Sequence, residues 1–322
     1  MIAILIVALA AGAASALMFA SISSGALISI LLFYLSPLPI MVAAFGWGPL
    51  AAAIGGVGAA SVLGAIFGLP YSIAFAMMVA VPGWWLGHLA LLGRPIEGAA
   101  GDGATQQPPA LEWYPVGRIL LWIAAFAVIT TTATLLTLGA DTDTITAALR
   151  RGLLKVLSAG DGQGSVEIER LVDMLVILAP LAATILSMVT LTLNLWLAGK
   201  ITQTSGRLNR PWPELRSTAL PSMTLVALLV AAALSFVGGM LALLAQIVTA
   251  ALVIGYALVG FAVLHTLTLS LNSRGFWLGG IYAVVVMFGW PIVAIFALGI
   301  ADAVFGLRQR YLQTRPPPLP AA

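Results

Sequence analysis

The chain has 322 residues, of which 61% are hydrophobic and 8% charged, with a net charge of +3 and a mean hydropathy of +1.09. Ordinary soluble domains carry about 25% charged residues, so the composition excludes a water-soluble globular protein. The few cations gather in loops and the tail, which is a topology signal rather than a nucleic-acid one, and the absence of cysteine excludes disulfides and thiolate metal sites.

The first charged side chain is Arg94; before it, His88 is the one histidine in a run of aliphatic, small and aromatic residues. A helix crossing a hydrocarbon core of roughly 30 Å needs about 20 such residues. Lipid offers no partner to backbone N–H and C=O groups, which leaves helices or a closed barrel. A barrel would show short alternating segments, and this chain shows long continuous runs. The expected fold is therefore all-α, a polytopic transmembrane bundle of about eight to nine spans. Residues 2–20 lack a basic leader, so they read as a retained first span rather than a signal peptide.

In chain order the spans are predicted at 2–20, 24–46, 48–68, 71–92, 115–139, 168–198, 220–237, 240–270 and 277–302. The first four are joined by Ser21–Gly25, Gly46–Pro49 and Gly68–Pro70, junctions suited to tight helical hairpins. Pro37, Pro39, Pro82, Pro180 and Pro291 lie inside apolar runs, and each removes an N–H and should kink or break its helix. The expected organisation is an N-terminal four-helix block over 1–93, a polar loop over 94–114, a second block over 115–310 and a disordered tail over 311–322. Within the second block, 141–158 reads as an interfacial helix, with Ile145, Leu149, Leu153 and Val156 on one face and Arg150, Arg151 and Lys155 on the other. Gly160–Ser165 reads as a linker.

Orientation stays open at this level. The basic loop at 200–218 and the tail with Arg308, Arg310 and Arg315 both favour the cytoplasm, yet three predicted spans between them would place them on opposite faces. Either one span is miscounted or one cluster breaks the rule. Both ends are expected in the cytoplasm.

Small residues crowd the first and third spans. Ala10 with Ala14, and Gly12 with Ala16, serve either ordinary packing inside the chain or docking of another membrane subunit. The run Tyr34-Leu-Ser36-Pro37-Leu-Pro39 must break the second helix, and its freed carbonyls are either satisfied by neighbours or line a ligand cavity. Trp84, Trp85 and His88 form either an interfacial aromatic belt or one wall of a solute pocket. Asn194 is an interhelical link or a pocket group, and His265 is a buried neutral residue or a proton-sensitive one. Asp173 and Asp302 sit near helix ends and are expected to reach water. Glu112 either contacts Arg118 or belongs to a solvated cluster. The pocket candidates are thus Tyr34, Ser36, Pro37, Pro39, Trp84, Trp85, His88, Asn194 and His265.

The chain contains no phosphate-binding Gly-x-x-x-x-Gly-Lys loop, no zinc-type His-Glu-x-x-His and no Gly-x-Ser-x-Gly elbow. Neither enzymatic activity nor a cofactor, metal or nucleic-acid partner is expected. The expected partners are the lipid bilayer, other membrane subunits and a small molecule of unknown identity.

The run Leu31-Leu-Phe-Tyr-Leu-Ser-Pro-Leu-Pro-Ile40 followed by Phe45-Gly-Trp-Gly48 resembles the YybS-like family of bacterial predicted membrane proteins. So do Asn194-Leu-Trp-Leu-Ala-Gly-Lys200, Arg210-Pro-Trp-Pro-Glu-Leu-Arg216, Gly260-Phe-Ala-Val-Leu-His265 and Ala301-Asp-Ala-Val-Phe-Gly-Leu-Arg308. That family is distantly similar to the substrate-binding S components of energy-coupling-factor transporters and to the cell-shape protein MreD. The resemblance implies a multi-pass protein of the bacterial cytoplasmic membrane, with a core of about six helices and a solute pocket, in which Ala10 and Ala14 would face a coupling subunit. It equally admits a structural or assembly role, and the chain is longer than a plain S component.

Overall fold

A computed structural model describes residues 2–95, 111–157 and 166–314. The helices are α1 Ile2–Ala20, α2 Leu27–Leu35, α3 Pro37–Trp47, α4 Pro49–Phe67, α5 Leu69–Phe75, α6 Val81–Ala90, α7 Val116–Leu136, α8 Thr142–Leu157, α9 Val166–Thr204, α10 Met223–Leu234, α11 Gly239–Leu267, α12 Arg274–Phe288, α13 Ile292–Phe305 and α14 Leu307–Thr314. A π-helical turn, Ala76–Ala80, joins α5 to α6 just before Pro82. Two short strands, β1 Gly93–Pro95 and β2 Leu111–Trp113, pair antiparallel with Arg94 opposite Glu112.

Seven helical runs among the described residues are long and apolar enough to cross a membrane, or eight when the bent pair α13–α14 counts as one. The chain is a multi-pass, all-α membrane protein. Large apolar side chains point outward along these helices, with Leu27 86%, Phe236 90% and Val286 84% exposed. Water would penalise that surface, and acyl chains do not.

Several expectations change. The seventh predicted span, 220–237, shrinks to the 12-residue α10. The ninth, 277–302, breaks at Gly289–Trp290–Pro291 into α12 and α13, because Pro291 cannot continue a helix and Gly289 closes α12 at φ 70°. Pro180 does not break α9, which runs unbroken for 39 residues; Thr184 Oγ1 donates to the Pro180 carbonyl at 2.8 Å. The polar loop begins and ends as a hairpin, with 96–110 outside the described residues, as is the linker 160–165. The tail expected to be disordered from 311 is helical through Thr314, with 315–322 outside the described residues. Val156, on the same face of α8 as Ile145, is 74% exposed, while Ile145 is buried against Leu135 and Ile247.

The tight junctions follow from backbone chemistry. Gly48 and Gly68 hold φ of 95° and 92°, a region other residues rarely adopt, and proline stands in the first turn of both α4 and α5, where its missing N–H costs nothing. Asp141 opens α8 by accepting the Thr144 N–H at 2.8 Å. That bond, with the Thr144 hydroxyl, holds the Asp141 carboxyl below its ordinary range.

Contacts group the chain into two compact units, Met1–Phe126 with Leu186–Pro213, and Ala127–Ile185 with Glu214–Ala322. In the first, α1 lies against α4 at glycine: a Cβ on Gly12 would overlap the Gly55 carbonyl, and one on Gly55 would overlap that of Ala8. Gly87 meets Ala44 and Gly83 meets Ile40 where α6 crosses α3. The aromatic core gathers Phe19, Phe33, Tyr71 and Phe75. In the second unit, α11 and α13 approach as closely. A Cβ on Gly260 would overlap the Ile295 carbonyl, and one on Gly299 that of Tyr256.

The second unit brings the ends of several helices together. Arg274, opening α12, donates to the His265 carbonyl near the end of α11 at 3.1 Å. Ser270, just past α11, bonds Tyr311 of α14 at 2.9 Å. Arg308 donates to the carbonyls of Arg216 and Thr218. The α12–α13 pair therefore leaves and returns to the same end of α11, and the basic tail meets the end of the 200–218 loop. The predicted ninth span is two helices.

Candidate functional site

The break in the second span organises the first unit's buried polar groups. Pro37 and Pro39 supply no N–H, so the carbonyls four residues before them, those of Phe33 and Leu35, lack their usual helical donors. Ser36 Oγ donates to the Phe33 carbonyl at 2.7 Å. Asn194 Nδ2 reaches across from α9 to the Tyr34 carbonyl at 2.8 Å. Ser15 Oγ of α1 donates to the Ser36 carbonyl at 2.7 Å. Three helices thus converge on one broken turn. Tyr34, Ser36, Pro37 and Asn194 come together here, and Ser15, which the sequence does not mark out, joins them. A serine in an apolar helix carries no signal of its own; only the carbonyl opposite gives it a role.

Asn194 is 1% exposed. Its amide nitrogen makes two bonds of 2.8 Å, to Tyr34 and to the Thr190 carbonyl of its own helix, which fixes the orientation of the carboxamide. Its Oδ1 is buried and meets no donor among the described residues. Replacing Asn194 by Leu should destabilise the folded protein by about 1–3 kcal/mol, the usual effect of orphaning a buried carbonyl. Thermal melting in detergent checks this, with Thr249→Val as comparison, since Thr249 bonds the Ala245 carbonyl of its own helix. Equal melting of both variants would remove Asn194 from the account of the break.

Trp84, Trp85 and His88 form one aromatic group. Trp84 stacks on His88 with ring centroids 6.4 Å apart, and Trp85 meets Trp122 of α7 edge-on at 5.2 Å. The Trp85 indole N–H is buried without an acceptor among the described residues. Pro39 is half-buried beside the break.

Eight of the nine pocket candidates belong to the first unit, and His265 belongs to the second. There His265 Nε2 bonds the Tyr282 hydroxyl at 2.8 Å, its Nδ1 faces Arg274 at 3.2 Å, and Tyr282 stacks on Phe261 at 5.0 Å. Asp302, expected to reach water, is buried instead. It pairs with Arg308 at 2.7 Å, the two side chains 7% and 12% exposed. Asp173 is exposed and faces Arg150 at 3.5 Å. Glu112 pairs with Arg94 at 2.6 Å across the hairpin rather than with Arg118.

The small-residue pairs divide. Gly12 and Ala16 are buried, while Ala10 is exposed and Ala14 half-buried. The basic loop after α9 folds onto tryptophans: Lys200 lies 3.9 Å from the Trp212 ring, Arg207 4.6 Å from Trp47 and Arg210 5.8 Å from Trp113. Arg210 also donates to the Ala90 carbonyl at 2.9 Å, at the end of α6, and to Tyr114 at 3.2 Å. Burial pulls its guanidinium below the usual arginine value. Among the described residues, no three metal-ligating side chains cluster.

No family model, no curated protein and no solved structure matches this chain.

Proposed function

We propose that this multi-pass membrane protein is a small-solute-binding subunit whose first unit takes its ligand beside the broken turn between α2 and α3. One observation supports this reading above others. The Asn194 carboxamide is held rigidly by two bonds, yet its oxygen is buried without a donor. Buried polar atoms in proteins are nearly always paired, so a solute bearing an N–H or O–H is the natural complement. Trp84 and Phe33 pack on the same buried cluster around Ile40 and Ala44, an aromatic surface of the kind solute sites use. The resemblance to the YybS-like family, itself distantly similar to transporter S components, agrees with this reading, as does the absence of a nucleotide motif, which leaves energy input to partner subunits. The bacterial cytoplasmic membrane is its proposed location.

A map at side-chain resolution, from protein extracted gently, tests the proposal. Non-protein density larger than water within hydrogen-bond reach of Asn194 Oδ1 is expected. One ordered water bridging that oxygen to the protein's own groups would overturn it.

A second reading, an assembly subunit of a membrane complex, is favoured by the exposed Ala10 and the half-buried Ala14 one turn on along α1, since small residues let a neighbouring helix approach closely. Stoichiometric subunits recovered with the wild type and lost with Ala10→Leu/Ala14→Leu would support it. A monodisperse monomer from native membranes would oppose it.

A further inference from the structure

The described charges of the first unit are Arg94, Glu112, Arg118, Lys200, Arg207 and Arg210. Five are cations, and the single carboxylate is already taken by Arg94. Arg210 ties the group to one end of the unit, because it bonds the last turn of α6 and the residue that follows the hairpin. Arg207 reaches the same end through Trp47, the last residue of α3, and Lys200 lies in the last turns of α9. Tryptophan faces hold guanidinium and ammonium groups in place, and tryptophan itself concentrates at headgroup depth. Arg207 is exposed, and Lys200 is half-buried with one bond, to Gln203. Both keep N–H donors to offer.

Apolar side chains stand exposed beside these cations: Leu50 opens α4, Leu92 follows α6, Leu111 starts β2, and Ile201 follows Lys200. A free anion would match only the charge. An amphiphile with an anionic head and two acyl chains matches both parts.

We propose that this end of the first unit binds an anionic phospholipid of the surrounding bilayer. The phosphate is held by Lys200, Arg207 and Arg210, and the chains run beside Leu50 and Ile201. Guanidinium donors suit phosphate oxygens, and basic groups at the end of membrane helices attract anionic headgroups. The site is independent of the one proposed at Asn194.

The test uses the full chain in a neutral maltoside detergent, with phosphatidylglycerol, phosphatidylcholine or inorganic phosphate added. Phosphatidylglycerol should raise the melting temperature and persist as an adduct in native mass spectrometry. Phosphatidylcholine and phosphate should do neither. The double variant Lys200→Gln/Arg207→Gln, which leaves the carbonyl bonds of Arg210 in place, should melt like the wild type without lipid and lose the lipid-dependent rise. Should that variant fail to fold, the wild type in about 0.5 M salt serves instead, where screening should erase most of the phosphatidylglycerol preference. Equal stabilisation by phosphatidylcholine, the same rise with phosphate alone, or a preference untouched by both substitution and salt would each overturn the proposal.

Discussion

Gly299→Leu should abolish recovery of folded protein, or lower its stability by at least about 3 kcal/mol, while Gly279→Leu should leave it within about 0.5 kcal/mol of the wild type. At Gly299 a Cβ would overlap the Tyr256 carbonyl and crowd the Gly260 amide, so backbone must move. Backbone cannot yield as a flexible side chain can. The close approach is reciprocal, since Gly260 stands equally tight against Ile295, and one substitution therefore opens the whole α11–α13 contact. In lipid the hydrophobic effect does not drive helices together, so close van der Waals packing is much of what holds the pair. Gly279 of α12 has nothing within 4 Å of a Cβ, and an added leucine there meets only acyl chains. Size-exclusion chromatography of both variants in one detergent, followed by melting, measures the difference. Similar behaviour of the two would show that α13 does not pack on α11 through Gly299.

Asp302→Ala should destabilise the protein by about 3–5 kcal/mol, and Asp302→Leu/Arg308→Leu by clearly less. The two side chains are nearly sealed from solvent. Asp302 also accepts the Arg308 backbone N–H at 2.9 Å, so both ends of its carboxylate are engaged across the left-handed turn at Gly306. Removing the acid leaves a buried guanidinium with only the carbonyls of Arg216 and Thr218. Removing both charges avoids that desolvation cost. The pair thus holds the bend between α13 and α14, which is 69°, against the segment preceding α10. Melting curves for the two variants decide it. A double variant no more stable than Asp302→Ala would mean that the arginine alone is essential to the bend.

Most of the fold is visible in the sequence, because the physics that selects it is one-dimensional. Long uncharged runs must be helices in lipid, and Gly-Pro pairs at 48–49 and Gly-Leu-Pro at 68–70 mark where they turn. Helix count failed where length misleads. The run 277–302 is long enough for one span, and only Trp290-Pro291 after a glycine hints at the break. Asn194 was legible as a polar residue in an apolar helix, and Pro37 as a break, but the bond from Asn194 to the Tyr34 carbonyl beside that break spans 160 positions and leaves no pattern in the chain. Asp302 was misjudged for a related reason. Its nearness to a helix end suggests water, while its environment is set by Arg308 beyond a turn, which the carbonyls of residues 216 and 218 hold in place. Gly12, Gly55, Gly260 and Gly299 looked like any small residues, and their role appears only when the opposing carbonyl is in view.

This chain is expected to cross a bilayer with the basic 215–218 segment and α14 at one end of α11 and α8 at the other. The natural absence of cysteine makes the decisive measurement direct. Single variants Ser217→Cys, Gln313→Cys and Gly152→Cys, in sealed vesicles of known orientation, are treated with a membrane-impermeant maleimide. Ser217→Cys and Gln313→Cys should react from the same side, and Gly152→Cys only from the other, because α8 sits on the N-terminal half of α11 and the tail is bonded at its C-terminal end. Reaction of positions 217 and 313 from opposite sides, or of all three from one side, would contradict the account.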